Sequence, residues 1–256
     1  MESTAIRPVP PLASPTRAGL TGAMLALAAG AWVVTAQRME GMDGGPGTAL
    51  GGVGWFMASW ALMMAAMMLP SLVPAVLAFA RSGERTVAAF VAGYAGTWTA
   101  AGLVGYLVFN VLRSLDVSFL AWDRAGRYTA AGVILFAAAY QCTTAKAGWL
   151  GRCRNPLELA RVNRSGVGGG LRGGIRHGGY CLGCCLALMA ALFALGVMSV
   201  IWMVVIAALI AVERLSPWRA TGVYGVAVVL AVLGVWVAAA PGDLPGLTIP
   251  GSMAMM

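Results

Sequence analysis

Residues 55–80 read WFMASWALMMAAMMLPSLVPAVLAFA, a stretch with no charged side chain. A hydrocarbon layer about 30 Å thick is crossed by roughly 20 consecutive apolar residues in a helix, because every backbone donor and acceptor must find its partner inside the segment. Trp55 to Ala80 is therefore predicted to span a membrane, with Pro70 and Pro74 in its second half. Working outward, similar apolar runs occupy Leu20 to Ala36, Val87 to Leu112, Tyr128 to Ala147 and Ala220 to Ala240. The longest run, Tyr180 to Val212, covers about 33 residues, too many for one untilted crossing at 1.5 Å per residue. It is either one long tilted helix or two short ones broken near Gly196 to Ser199, and Arg214 and Arg219 just beyond it favour the break.

The fold expected is all-α, a polytopic helical integral membrane protein with six or seven passes. Residues 1–17, rich in Pro, Ser and Thr, are expected to form a disordered tail; 18–240 a single transmembrane domain; and 241–256 a C-terminal tail. The Gly-rich link from Gly41 to Gly54 reads as a loop, as does the segment after Leu112 that holds Arg113, Asp116, Asp123, Arg124 and Arg127. No cleavable leader is expected, since Arg7 and Arg17 are separated by a Pro-rich stretch and the first apolar run ends without a small-residue cleavage site. Composition agrees: 60% of the chain is hydrophobic and 10% charged, against about 25% charged in soluble domains. Ala61-Leu62-Met63 and Ala187-Leu188-Met189 open similar small-residue stretches in the two halves, a weak hint of an internal repeat.

The net charge of +8 comes largely from one segment, Gly148 to Gly179, which holds Arg152, Arg154, Arg161, Arg164, Arg172 and Arg176 against the single acid Glu158. Lys and Arg accumulate in short cytoplasmic loops, so this segment reads as a basic cytoplasmic loop, not as a nucleic-acid surface. Alternate crossings then put the N-terminus in the cytoplasm as well, which agrees with Arg7 and Arg17.

Soft ligands mark the chemistry. His177, the only histidine, is followed by Cys181, Cys184, Cys185 and Met189. Spacings of four, three, one and four place imidazole, three thiols and a thioether on one helical stripe. A thiol in an apolar helix is commonly a packing group, and three within five residues depart from that pattern. Met63, Met64, Met67 and Met68 form two i, i+4 thioether pairs ahead of Pro70, which deprives the carbonyl near Ala66 of its donor. Cys153, at the same membrane edge, is a further candidate. Such a donor set favours copper(I), zinc or iron-sulfur chemistry over calcium or magnesium, with copper(I) the leading expectation and zinc the alternative. Thioethers hold copper(I) weakly and thiolates tightly, so a methionine path leading to a cysteine acceptor favours inward delivery.

The motifs Met63-Met-x-x-Met67-Met-Leu-Pro-Ser71, Tyr140-Gln141, Lys146, Cys153-Arg-Asn-Pro156 and His177-Gly-x-x-Cys181-x-Gly-Cys184-Cys185-x-x-Leu188-Met189, with Gly196-Val-Met198 after them, resemble those of a bacterial family. It is described as predicted metal-binding integral membrane proteins, domain-of-unknown-function family 2182. The resemblance spans roughly residues 55–215 and implies a metal-binding membrane protein similar to a copper chaperone. The family pattern carries a cysteine where this chain has Trp149, and here Cys142 follows Gln141 instead.

The leading expectation is a non-enzymatic protein that binds or moves a soft transition metal through His177, Cys181, Cys184, Cys185, Met189, Cys153, Met63, Met64, Met67 and Met68. A metal chaperone or an acceptor metalloprotein is its expected partner. The alternatives are a membrane thiol-disulfide redox protein working through Cys181 and Cys184, and a structural or assembly factor with packing cysteines. Gly166 to Gly174 lacks the GK[ST] ending of a phosphate loop, which argues against an ATP-driven pump.

Overall fold

In the computed structural model the residues described are 14–40, 50–114, 126–162, 166–197, 199–216 and 219–244. The expectations for residues 1–13, 41–49, Asp116, Asp123, Arg124, Arg164, Met198 and 245–256 lie outside them. The chain runs α1 (Ser14–Met39), α2 (Val53–Ala80), α3 (Glu84–Ser114), α4 (Arg127–Gln141), α5 (Thr144–Cys153), α6 (Pro156–Val162), α7 (Gly166–Leu195), α8 (Val200–Leu215) and α9 (Arg219–Ala239), and ends in a 3-10 turn at Pro241–Asp243. No strand occurs among the described residues. Helix α1 begins earlier than expected, and Pro15 suits a first turn, where its missing N–H has no intrahelical acceptor.

Among the described residues five helices are long and apolar enough to cross a membrane: Pro15–Met39, Val53–Ala80, Glu84–Leu112, Gly166–Leu195 and Ala220–Ala239. Two further helices counted in the expected six or seven passes, α4 with 15 residues and α8 with 16, fall short of the roughly 17–25 that a crossing takes. Leu103, Val104, Leu107 and Val108 on α3, and Val228, Val232 and Val235 on α9, are exposed. A water-soluble chain rarely leaves such continuous apolar surface open, whereas lipid accepts it without loss.

The segment 148–179, expected to be a loop, is almost wholly helical. It contains most of α5, all of α6 and the first half of α7. Glycine is a poor helix former in water, but Gly170, Gly174 and Gly178 fall at intervals of four and face α3, where a Cβ would run into the backbone carbonyls of Thr86 and Phe90 and the side chain of Thr97. This is the small-xxx-small packing that lets helices approach closely in a membrane, and α3 against α7 is the most extensive helix pair of the fold. Arg172 and Arg176 point away from that seam and are exposed. Replacing Gly174 with Leu should therefore separate α3 from α7 and lower the midpoint of thermal unfolding in detergent by many degrees. Gly179→Ala, where a Cβ meets open space, should leave it level or slightly higher.

Two helix breaks have local causes. The expected helix 128–147 divides at Cys142 and Thr143. The Thr143 hydroxyl donates to the Tyr140 carbonyl at 2.7 Å and accepts from the Lys146 amide at 3.2 Å, closing α4 and opening α5 with one side chain. The 180–212 run breaks as the two-helix alternative held: Gly196, with φ of 111°, ends α7, and extended Ser199 caps α8. A φ in that range is readily adopted only by glycine. Helix α2 continues unbroken through Pro70 and Pro74.

Candidate functional site

The α7 stripe forms as its spacing predicts: His177, Cys181, Cys184, Cys185 and Met189 are all buried. Helix α5 brings Cys153 to it. The α4–α5 corner docks on α7 at Gly183, whose carbonyl accepts from the Tyr140 hydroxyl at 2.8 Å and whose missing Cβ leaves room for the Trp149 ring. Trp149, standing where the family of the resemblance carries a cysteine, is thus a packing residue, its ring tilted 39° against that of Tyr180 at 6.0 Å. Cys153, itself buried, then lies beside Cys181 and Cys184 and interacts with both. The Cys184 sulfur lies 3.6 Å from that of Cys185 and 3.2 Å from the Cys181 carbonyl. All five cysteines are free thiols, and only Cys142, just past the end of α4, is exposed.

The structure adds a cation that the motif reading took only as a marker of topology. Arg214, near the end of α8, points its Nη2 at Cys181 (2.8 Å), Cys185 (3.5 Å) and Cys184 (3.7 Å). Its Nη1 donates to the Ser71 hydroxyl at 2.7 Å. The Tyr94 hydroxyl, from α3, stands 3.1 Å from the Cys181 sulfur. Cys181 is thus the hub of the cluster, a sulfur surrounded by the guanidinium, a phenol and the Cys153 thiol. Among the described residues no group of three or more His, Cys, Asp or Glu side chains already stands as a set that could hold a metal ion. The sulfurs are engaged with one another and with Arg214.

The end of α8 is itself anchored. Lys146 and Glu213, both almost fully buried, form an ion pair through contacts of 2.9 and 2.7 Å. Arg154 donates to the carbonyls of Glu213 and Ser216, satisfying α8's last acceptors. Helix α5 therefore positions both Cys153 and, through Glu213, its neighbour Arg214.

Of the remaining candidates, His177 is buried one turn before Cys181, between the rings of Phe90 and Tyr94, each centred 5.8 Å away. Neither ring nitrogen has a partner, which leaves two buried lone-pair or N–H positions unused. Met63, Met64, Met68 and Met189 belong to the apolar core. Met67 does more: with Trp32, Ser71, Ala208, Ala211 and Arg214 it lines a pocket of about 370 Å³ between α1, α2 and α8. Ala66 and Pro70 line it as well, so the carbonyl that Pro70 leaves without its donor belongs to a residue of this wall.

A family model described as PpoB2, copper chaperone, matches residues 57–237, which takes in all four clustered cysteines, Arg214 and the α2 methionines. The chain belongs to the copper chaperone family. The match carries the copper description and not the name of domain family 2182. Neither the curated proteins nor the solved structures compared with the chain give a match.

Within this copper chaperone family member, thiol reactivity should divide sharply. The Cys153 thiol is pushed up to about 12, first by its hydrogen bond to Cys181, which requires the proton to stay, and then by burial. Since only thiolate is nucleophilic, Cys142 should be alkylated by iodoacetamide at neutral pH at least about tenfold faster than Cys153. Cys153 should gain reactivity only as the pH climbs toward 12. Peptide mass spectrometry of the detergent-solubilised protein reads both rates.

Proposed function

We propose that this chain is a membrane-embedded carrier that takes copper(I) as cargo onto the buried thiols of Cys153, Cys181, Cys184 and Cys185 and hands it to a soluble chaperone or an acceptor metalloprotein. The observation that carries the reading is the convergence of four free thiols from two helices, α5 and α7, at one buried point. Packing alone has no need of four sulfurs together, and membership of the copper chaperone family supplies the metal. Thiolate ligands favour the monovalent, soft state of copper over the divalent one.

His177 and Met189 extend the same stripe by one turn on either side, and the α2 methionines supply weaker thioether donors nearby. The protein acts as a carrier, not a catalyst. It resides in the bacterial inner membrane with its N-terminus and the basic α5–α6 side facing the cytoplasm, where glutathione keeps thiols reduced.

Elemental analysis tests this directly. The reduced, detergent-solubilised wild type, incubated with copper(I) and desalted, should retain copper near one ion per chain, while the variant with Cys184→Ser and Cys185→Ser should retain a small fraction of that. Equal, near-zero copper in both would overturn the proposal. A wild type isolated with Cys181 and Cys184 largely joined as a disulfide would point to thiol redox chemistry instead.

A further inference from the structure

The sulfurs of Cys181, Cys184 and Cys185 are at most 1% exposed, and the side chain pressed against all three is a cation. We propose that the pocket between α1, α2 and α8 is the inlet through which copper(I) reaches the thiols, and that Arg214 is the gate between the two. The proposal rests on the copper(I) reading above.

Three features of the pocket carry it. First, Arg214 belongs to both compartments: it lines the pocket, and its Nη2 is the donor that lies 2.8 Å from Cys181. Any ion moving from pocket to sulfur must pass it. Second, the guanidinium and copper(I) carry the same single positive charge and seek the same sulfurs. Like charges in a site shielded from water repel strongly, so the metal-free cluster is held together by Arg214 and the loaded one requires Arg214 to withdraw. This accounts for the finding that the buried thiols, as they stand, form no set ready for a metal. Third, the pocket offers what each of the exchanging partners requires. The Met67 thioether is a soft, neutral first ligand for the ion, and the Ser71 hydroxyl already accepts from Nη1 at 2.7 Å, a hinge about which the guanidinium can turn. At about 370 Å³ the pocket has room for the displaced head group. Each S–H that becomes a ligand gives its proton to the surrounding buffer while the copper stays monovalent, so no oxidant or reductant enters the exchange.

The test is a loading-rate measurement. Reduced full-length protein in detergent is mixed without oxygen with copper(I) supplied as its acetonitrile complex, and the ultraviolet band of copper-thiolate bonds is followed in time. Filling the pocket by Ala211→Trp should slow loading at least tenfold while the final copper content matches the wild type. Arg214→Met, which removes the competing charge, should load faster than the wild type. Ala208→Trp, on the same wall, serves as the second pocket-filling variant should Ala211→Trp not fold. If the wild type loads and both tryptophan variants load equally fast, the inlet is overturned. If Arg214→Met loads no faster than the wild type, the gate is overturned. A wild type that takes up no copper overturns the functional reading, and the inlet with it.

Discussion

Cys181→Ser should weaken copper(I) binding by about a hundredfold or more, a larger loss than any other single cysteine change in the chain. Removing groups that merely orient a ligand lowers metal affinity about 10–100-fold, and Cys181 is both a candidate ligand and the sulfur around which the others are arranged. Its sulfur meets Arg214 at 2.8 Å and Tyr94 at 3.1 Å, and Cys153 lies beside it. Serine keeps the shape and most of the hydrogen bonds while removing the soft donor, so the fold should survive. Competition against a chromogenic copper(I) chelator measures the change, with Cys142→Ser as the control. Cys142 is exposed and stands apart from the buried cluster, and its replacement should leave affinity at the wild-type value. Equal affinities for wild type and Cys181→Ser would remove Cys181 from the site.

The second large effect concerns stability. Lys146→Met should destabilise the fold by about 3–5 kcal/mol, since it leaves Glu213 as an uncompensated charge in a buried position. The double variant with Lys146→Met and Glu213→Met should recover most of that loss, because two apolar side chains of similar size need no ion pair. Denaturant titration in mixed micelles reads both. A single variant as stable as the wild type would mean that water reaches Glu213. The double variant carries a second expectation: Arg154 still holds the α8 carbonyls of Glu213 and Ser216, so Arg214 should remain in place and copper binding should persist.

The parts of this architecture that were legible in the chain are those written in local periodicity. The stripe from His177 to Met189 follows from i, i+3 and i+4 spacing alone, and the break at Gly196 follows from a run too long for one crossing. The parts that were not legible depend on partners distant in sequence. Arg214 reads as a charge that fixes orientation, and only the fold brings it to Cys181, 33 positions earlier. Glu213 and Lys146 are 67 positions apart, and neither shows alone that it is half of a pair. A signal was present: a Glu-Arg pair at the end of an apolar helix is costly in a membrane and therefore functional more often than not.

The glycine-rich stretch before His177 misled for a related reason. Glycine's poor helix propensity is measured in water, while Gly170, Gly174 and Gly178 earn their place through contact with α3. Thr143 was visible as a residue but not as a boundary, because its capping role competes with a continuous apolar pattern on either side.

The order in which the cluster's parts lie along the chain bears on how the protein is made. Cys153 leaves the ribosome first, the α7 cysteines some thirty residues later, and Arg214 after a similar interval. During synthesis the thiols are therefore present before the guanidinium that holds them. The nascent chain passes through a stage in which reactive sulfur has no cationic guard, and it ends when α8 is inserted and tied to α5.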